Sequence, residues 1–450
     1  MPLLSLNEIC IKLRSGKSIP SVQVSREGLY PVIGGNGLRG YASEYNFDGE
    51  CAVIGRQGAA CGNVRYFSGK CYMTEHAVIA ETTHSHNARY LAYLLSMQQL
   101  GRLSGQSAQP GISVKMLGMQ RFDMPTLEYQ RKVVSILGAL DDKILVNSRI
   151  NDHLAEMAMM LFDSECPQAN EPNAVLSDVA EITMGQSPSG SSYNENGHGE
   201  VFYQGRGEFG SFFPRRHLFT TEPKRMAREG DILVSVRAPV GDLNIAAEDC
   251  CIGRGLAAIH SGSNQSFVHY LMRAQKRQLD TFNGDGTVFG SINGKALKEL
   301  SVYLPSNDGI AHLQSLLEPI DAMIRRNDDE MQALEQLRDA LLPKLMSGEI
   351  DISRIDLRQL NGHLAAYPIW PERKPHPQQL LSEQFVMGAS ALKVGCIAIY
   401  APDEKPIAGI GNMAFIASFP SARKPMHIVS VFEDLDGFGA VFQDKTNDCF

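Results

Sequence analysis

The stretch Pro125–Ile150, PTLEYQRKVVSILGALDDKILVNSRI, has a diverged counterpart in Pro305–Glu330, PSNDGIAHLQSLLEPIDAMIRRNDDE. Val133, Ile136, Leu137, Leu140 and Ile144 are apolar in the first; Leu313, Leu316, Leu317, Ile320 and Ile324 are apolar in the second. Spacings of three and four residues place each set on one face of a helix. The second stripe continues through Met331, Leu334, Leu337, Leu341 and Leu345, with an interruption expected at Pro343. It stops at Ser347-Gly348, where glycine suits a C-terminal cap. Equivalent helices carrying equivalent stripes can bury them in each other, so the pattern predicts an antiparallel pair within one chain. The alternative is two independent core helices.

Outward from these helices the whole segment repeats. Leu6–Phe162 recurs as Leu176–Leu342 at an offset between 169 and 181 residues. LNEICIKLRSGKSIPS opens the first copy and LSDVAEITMGQSPSG the second. Gly16 answers to Gly185, Gly35 and Gly37 to Gly205 and Gly207, and Gly49 with Arg56 to Gly230 with Arg237. Further on, Tyr90-Leu91 answers to Tyr270-Leu271, Gly105 and Gly111 to Gly284 and Gly290, and Asp141 and Asn147 to Asp321 and Asn327. So long a period is a domain with an appendage, not a solenoid unit.

Short strands such as those at Cys51–Gly55 and Asp231–Val236, bounded by Gly, Asn and Pro, alternate with helices expected at Ala88–Leu100 and Ser266–Leu279. The expected class is therefore α+β: two tandem loop-rich mixed α/β domains, each followed by a long helix, with the helices forming an antiparallel coiled coil of pseudo-twofold symmetry. The expected boundaries are domain 1 over 1–125, helix 126–165, linker 166–175, domain 2 over 176–305, helix 306–350, a proline-rich linker over 351–379 and a region of unassigned function over 380–450. The linker contains YPIWPERKPHPQQ at Tyr367–Gln379, and strands are expected at Leu392–Tyr400 and His427–Phe432.

Composition narrows the function classes. The net charge is −8, yet residues 201–300 carry 13 Lys and Arg against 10 Asp and Glu, whereas 321–356 carry 5 against 9. Basic charge collects on a domain and acidic charge on a helix, which leaves room for a phosphate-rich partner. The nine cysteines are odd in number and never show zinc-knuckle spacing, so reduced thiols are expected. No apolar run is long enough for a membrane span, and the chain reads as cytoplasmic without a membrane partner. Gly16-Lys17-Ser18 lacks the earlier glycine of a phosphate loop, and Gly409-Ile410-Gly411 with Ala414 reads as a turn. No Asn-Pro-Pro-Tyr or Asp-Pro-Pro-Tyr segment and no metal-like histidine spacing occurs. No catalytic or metal residue is expected.

Several phrases together carry a resemblance: Gly185–Pro188 (GQSP), Gly230–Arg237 (GDILVSVR), the turns Gly105–Ser113 (GQSAQPGIS) and Gly284–Ile292 (GDGTVFGSI), the helix opening PTLEYQRKVVSILGALDDKI and the ending LLPKLMSGEI. In this order over Leu6–Ile352, the chain resembles the specificity subunit of type I restriction-modification systems. The resemblance implies two target-recognition domains that each read half of a split double-stranded DNA site, with the helices fixing the gap. It also implies partners: methyltransferase subunits using S-adenosylmethionine, and restriction/translocase subunits using ATP and Mg. No cofactor is expected in this chain. A helix from Leu127 to Phe162 would span about 50 Å at about 1.5 Å per residue, roughly one and a half turns of B-DNA. Two other classes stay open, a stand-alone DNA methyltransferase and a protein adaptor organised by its helices.

For DNA contact, Arg and Lys on loops are the expected readers. Arg56 and Arg237 follow a strand in both copies, and Arg206 lies between two glycines. Arg215, Arg216, Lys224 and Arg225 add charge beside Phe209, Phe212 and Phe213. Ser113 with Lys115 and Asn293 with Lys295 follow the shared turn and suit phosphate contact, although Ser113 equally suits a helix cap. For Arg56 and Arg237 the alternative is pairing with a neighbouring carboxylate, and for Arg206, Arg215, Arg216, Lys224 and Arg225 it is a plain solvated surface. Asp141, Asn147, Asp321 and Asn327 suit either helix register or partner binding.

Overall fold

The computed structural model describes residues 2–104, 111–167, 171–284, 290–352, 427–434 and 437–443. The chain forms two compact units, 1–366 and 367–450. In the second, His427–Asp434 and Gly437–Gln443 form an antiparallel hairpin, so the strand expected at His427–Phe432 is present. Tyr367–Gln379, Leu392–Tyr400, the Gly409–Ala414 turn and most of the shared turn after Gly105 lie outside the described residues.

Domain 1 contains β1 (Leu3–Ser5), α1 (Leu6–Ile9), β2 (Cys10–Ser15), β3 (Tyr30–Gly34), β4 (Gly37–Ala42), β5 (Phe47–Gly55), β6 (Val64–Met73), β7 (Ala77–Thr82), α2 (Ala88–Ser96), α3 (Val114–Met119) and β8 (Arg121–Asp123). The long helix α4 (Leu127–Glu165) follows. Domain 2 contains β9 (Ala174–Val175), β10 (Glu181–Met184), β11 (Tyr193–Asn194), β12 (Glu200–Tyr203), β13 (Phe219–Thr220), β14 (Met226–Ala227), β15 (Ile232–Ser235), β16 (Leu243–Ile245), β17 (Cys250–Ile252), β18 (Leu256–His260), α5 (Gln265–Ala274), α6 (Lys276–Asp280), α7 (Gly294–Lys298) and β19 (Ser301–Val302), and α8 (Asn307–Ser347) closes the repeat.

In domain 1 one sheet runs β2-β7-β5-β6-β3-β4, with β3 parallel to β6. Alternation along β5 buries both faces: Ala52 and Ile54 join the core under α2, and Cys51 and Val53 join a second cluster with Phe47 and Met73. Domain 2 follows the same path in two sheets, β10-β18-β15-β16 and β11-β13-β12-β17-β14, with β12 parallel to β17. Each domain is closed by pairing its first and last strands, β1 with β8 and β9 with β19.

The long helices start alike. Thr126 accepts from Tyr129 N–H at 3.4 Å and Ser306 from Gly309 N–H at 3.2 Å, both as N-caps. They then pack antiparallel, and residue numbers rise on one as they fall on the other: Asp141 meets Arg338 at 3.1 Å, Asn147 meets Glu330 at 2.7 Å, and Asn151 meets Ile324 O at 3.0 Å. Each helix begins in its own domain and ends in the other. Val133 and Leu137 of α4 enter the domain 1 core, where Leu345 of α8 joins them and Tyr129 donates to Leu345 O at 2.7 Å. At the opposite end Phe162 lies 5.8 Å from Phe267 of α5, ring centre to ring centre.

Three local expectations change. α8 is continuous through Pro343 rather than interrupted there. Proline removes one donor near the C-terminus, while Leu341, Leu342, Leu345 and Met346 hold the turn against domain 1. Gly348, with φ of 78°, then ends the helix as a left-handed cap. The helix expected at Ser266–Leu279 is broken at Gln275 into α5 and α6, and the one at Ala88–Leu100 stops at Ser96.

Candidate nucleic-acid interface

At one end of each sheet several turns are stitched together by the same backbone hydrogen bonds. In domain 1, Lys17 N donates to Met73 O (3.0 Å), Thr74 N to Ile33 O (2.9 Å), Arg56 N to His76 O (2.8 Å) and Ile112 N to Arg56 O (2.9 Å). In domain 2, Gln186 N donates to Ile252 O (2.9 Å), Gly253 N to Tyr203 O (2.8 Å), Val236 N to Gly255 O (2.9 Å) and Ile292 N to Val236 O (3.0 Å). Gly16 and Gly185 allow this approach, because a Cβ would come within 2.1 Å of Met73 O in one case and Gly253 O in the other. Short turns pinned to rigid strands are the usual way a scaffold presents binding side chains.

The hydrogen-bond pattern corrects the pairing of Arg56 with Arg237. Arg56 is equivalent to Val236, and Gln57 to Arg237; Gln57 bridges to Gly111 as Arg237 bridges to Ser291. The offset in these strands is 180, not the 181 that aligning the arginines requires. Gly49 and Gly230 separate for the same reason. Gly49 pairs with Gly69 inside the β5–β6 ribbon, whereas Gly230 occupies the turn before β15. Arg56 is half-buried and Arg237 exposed, and neither side chain has an ion-pair partner among the described residues.

Around domain 1's edge two further arginines converge that were not singled out from sequence. Arg39 lies along Gly34, and the Arg65 guanidinium sits over Gly37, where a Cβ would come within 1.8 Å of Nη1. Arg65 also walls a small cavity of about 150 Å³ with Ile33, Leu38, Val53 and Phe67. In domain 2 the counterpart of this turn is Gln204–Gly207. It rests on Gly253 and Gly255, where a Cβ at either would meet Gln204 O at 2.8 Å. Arg254 projects between those glycines and is exposed. The Gly-Arg-Gly pattern shared by Arg206 and Arg254 was a usable signal; Arg39 and Arg65 had none, because strand arginines carry no periodicity of their own.

Most of the other expected readers are engaged elsewhere. Arg206 pairs with Asp242 at 2.8 Å, Arg215 with Glu335 of α8 at 3.3 Å, and Arg216 with Glu248. Lys224 and Arg225 are exposed. Ser113 accepts from Met116 N at 3.1 Å and Asn293 from Ala296 N at 2.9 Å, so both cap short helices. Lys115 is exposed, and Lys295 pairs with Glu299 at 3.8 Å.

The repeated polar residues on the helices divide by task. Asp141 accepts from Tyr93 and meets Arg89 at 3.5 Å and Arg338 at 3.1 Å; Asp321 accepts from Tyr270 at 2.8 Å. Both therefore fasten a domain helix to a long helix. Burial, then the neighbouring aspartate, holds the Tyr270 hydroxyl above its ordinary range. Burial and the bond to Asp141 do the same at Tyr93, where the Arg89 charge opposes them. Asn147 is 1% exposed and bonds across to Glu330, and Asn327 bonds to buried Asn151 at 2.8 Å, where the two helices cross-match.

Among the described residues six of seven cysteines are buried and none is disulfide-bonded, and burial pushes the Cys10 thiol up to about 12. No group of three His, Cys, Asp or Glu side chains suits a metal there, and no helix is long and apolar enough to cross a membrane.

Two pseudo-equivalent domains, each with the same stitched edge, held by one antiparallel helix pair, define a paired recognition scaffold. The family model for the type I restriction modification DNA specificity domain matches residues 3–156 and again 173–334. The chain belongs to that family. It is 32% identical over 290 residues to a putative type I restriction enzyme MjaX specificity subunit of Methanocaldococcus jannaschii, covering 58% of this chain and 68% of that protein. Over 141 residues it is 38% identical to the type I restriction enzyme EcoprrI specificity subunit of Escherichia coli, covering 30% of this chain and 35% of that protein. A crystal structure of the type I restriction-modification S subunit from M. genitalium aligns with a TM-score of 0.49 and 17% identity, over 76% of this chain and 95% of that one.

Proposed function

We propose that this chain is the DNA-reading subunit of a type I restriction-modification complex, with each stitched edge contacting one half of a bipartite double-stranded site. The observation that carries the reading is the duplicated hydrogen-bond chain, which sets arginines without ion-pair partners among the described residues at equivalent edges of the two domains. An unpaired arginine on a pinned turn can reach guanine O6 and N7 as a fork, or a phosphate as a charge. Methyltransferase subunits with S-adenosylmethionine, and restriction/translocase subunits with ATP and Mg, supply the chemistry, and this chain supplies the address. As a cytoplasmic assembly it needs no membrane anchor.

Site selection by the assembled complex tests the assignment. Arg237→Ala should cost about 1–3 kcal/mol and relax one position of the second half-sequence only; Arg65→Ala should do so in the first half only. A phosphate contact would instead weaken all sequences alike and reduce the salt slope by about one. Unchanged affinity and selectivity in both variants would remove these edges from the DNA. Calorimetry of the isolated chain with S-adenosylmethionine should show no binding, which separates this reading from a stand-alone methyltransferase.

A further inference from the structure

Domain 2 carries a segment that domain 1 lacks. The offset between equivalent residues is 170 from Ile33 to Tyr203 but 180 from Ile54 to Val234, so ten extra residues lie between β12 and β15. This inserted segment does not hang free. The buried Asn244 amide donates to Gly210 O and accepts from Gly210 N, both at 3.1 Å, and Ile245 N donates to Phe212 O at 2.9 Å. So anchored, the segment turns toward α8. Phe213 is 4% exposed, with the Arg325 guanidinium 4.9 Å from its ring centre, and Arg215 reaches Glu335 at 3.3 Å. Between Asp321, which holds Tyr270, and Glu335, domain 2 grips α8 over about 21 Å at about 1.5 Å per residue. On α4 the position equivalent to Arg325 is Leu145, which is 49% exposed.

Resting on the reading proposed above, we infer that the inserted segment is a brace that fixes the angle of domain 2 on the helix pair, and with it the gap between the half-sites. Phe213, Arg215, Arg325 and Glu335 are its positioning residues. They touch no base; they act by removing one hinge from a scaffold whose helices already set the length. A cation over an aromatic face and an ion pair a few turns further along α8 resist rotation about two different points.

The test uses the full complex and DNA with fixed half-sequences and a randomised gap length. Arg215→Glu and Phe213→Ala should keep both half-sequences while raising retention of sites one base pair longer or shorter by about tenfold relative to wild type. The double change Arg215→Glu with Glu335→Arg should restore the wild-type gap preference, which a general loss of stability would not allow. Wild-type gap preference in both Arg215→Glu and Phe213→Ala would overturn the brace. If the wild-type complex selects no bipartite site, the functional reading fails instead. The brace is then judged without DNA, from the distance distribution between dyes at Glu195 and Leu337. A broader distribution in Arg215→Glu, narrowed again by the swap, supports it, and an unchanged one overturns it.

Discussion

In domain 1, β5 and β6 run as one unbroken ribbon with Gly49 opposite Gly69; in domain 2 the same path is cut into β15–β16 and β14–β17 by the Gly230 turn. Arg39, Arg56 and Arg65 gather at the first edge without ion-pair partners among the described residues, whereas at the second Arg206 is neutralised by Asp242 and Arg237 and Arg254 remain open. What the two edges share is the backbone chain of hydrogen bonds, and what differs is the side chains hung from it. The scaffold is repeated and the side chains it presents are not, as the proposed reading of two unlike half-sequences would require.

The largest expected effect tests the crossed stabilisation of the domains. Phe162→Ala should cost about 3–5 kcal/mol and Leu345→Ala about 2–5, each in the domain that its helix enters last. Hydrogen exchange should show lost protection in domain 2 for the first variant and in domain 1 for the second. Loss confined to the parent domain of each helix would show that the ends are not shared.

A smaller effect compares the stitched edges directly. Gly16→Ala and Gly185→Ala should each cost about 1–3 kcal/mol, as overpacked sites do, because each new Cβ meets a backbone carbonyl at 2.1 Å. Denaturant titration should give like values. A large cost at one position and none at the other would break the equivalence.

The smallest separates the domains by pH. Burial lowers the pKa of His86, whose Nδ1 lies 3.2 Å from Gln130 Nε2 in domain 1. The depressed value favours the neutral ring, so its contribution is present above about pH 6.5, the unfolded value, and is lost as the pH falls below that. His86→Gln should flatten that part of the stability curve of domain 1 and leave domain 2 unchanged.

Much of the architecture was legible before the fold. The two apolar stripes share a period and a register, so an antiparallel pair was the arrangement that buried both. Pro343 misled because a proline near a helix end costs little when four neighbours hold the turn in a core. The candidate edges were only half legible. Glycines that permit backbone approach stand out in sequence, as Gly16 and Gly185 do, but Arg65 reaches Arg56 through the β5–β6 ribbon, and Arg39 reaches both only through the parallel pairing of β3 with β6, strands well separated in the chain. The slip of Arg56 against Arg237 arose because like residues were aligned where hydrogen bonds decide. The brace showed only as a change of offset, with nothing in the residues to say that the extra length would fold back on α8.

In the proposed function the two edges read DNA separately. Replacing Ser177–Leu304 with the matching segment of another family member, and mapping methylated sites in cells carrying the hybrid, measures it directly. The first half-sequence should be retained while the second is exchanged. A hybrid that is active but has both half-sequences altered would contradict it.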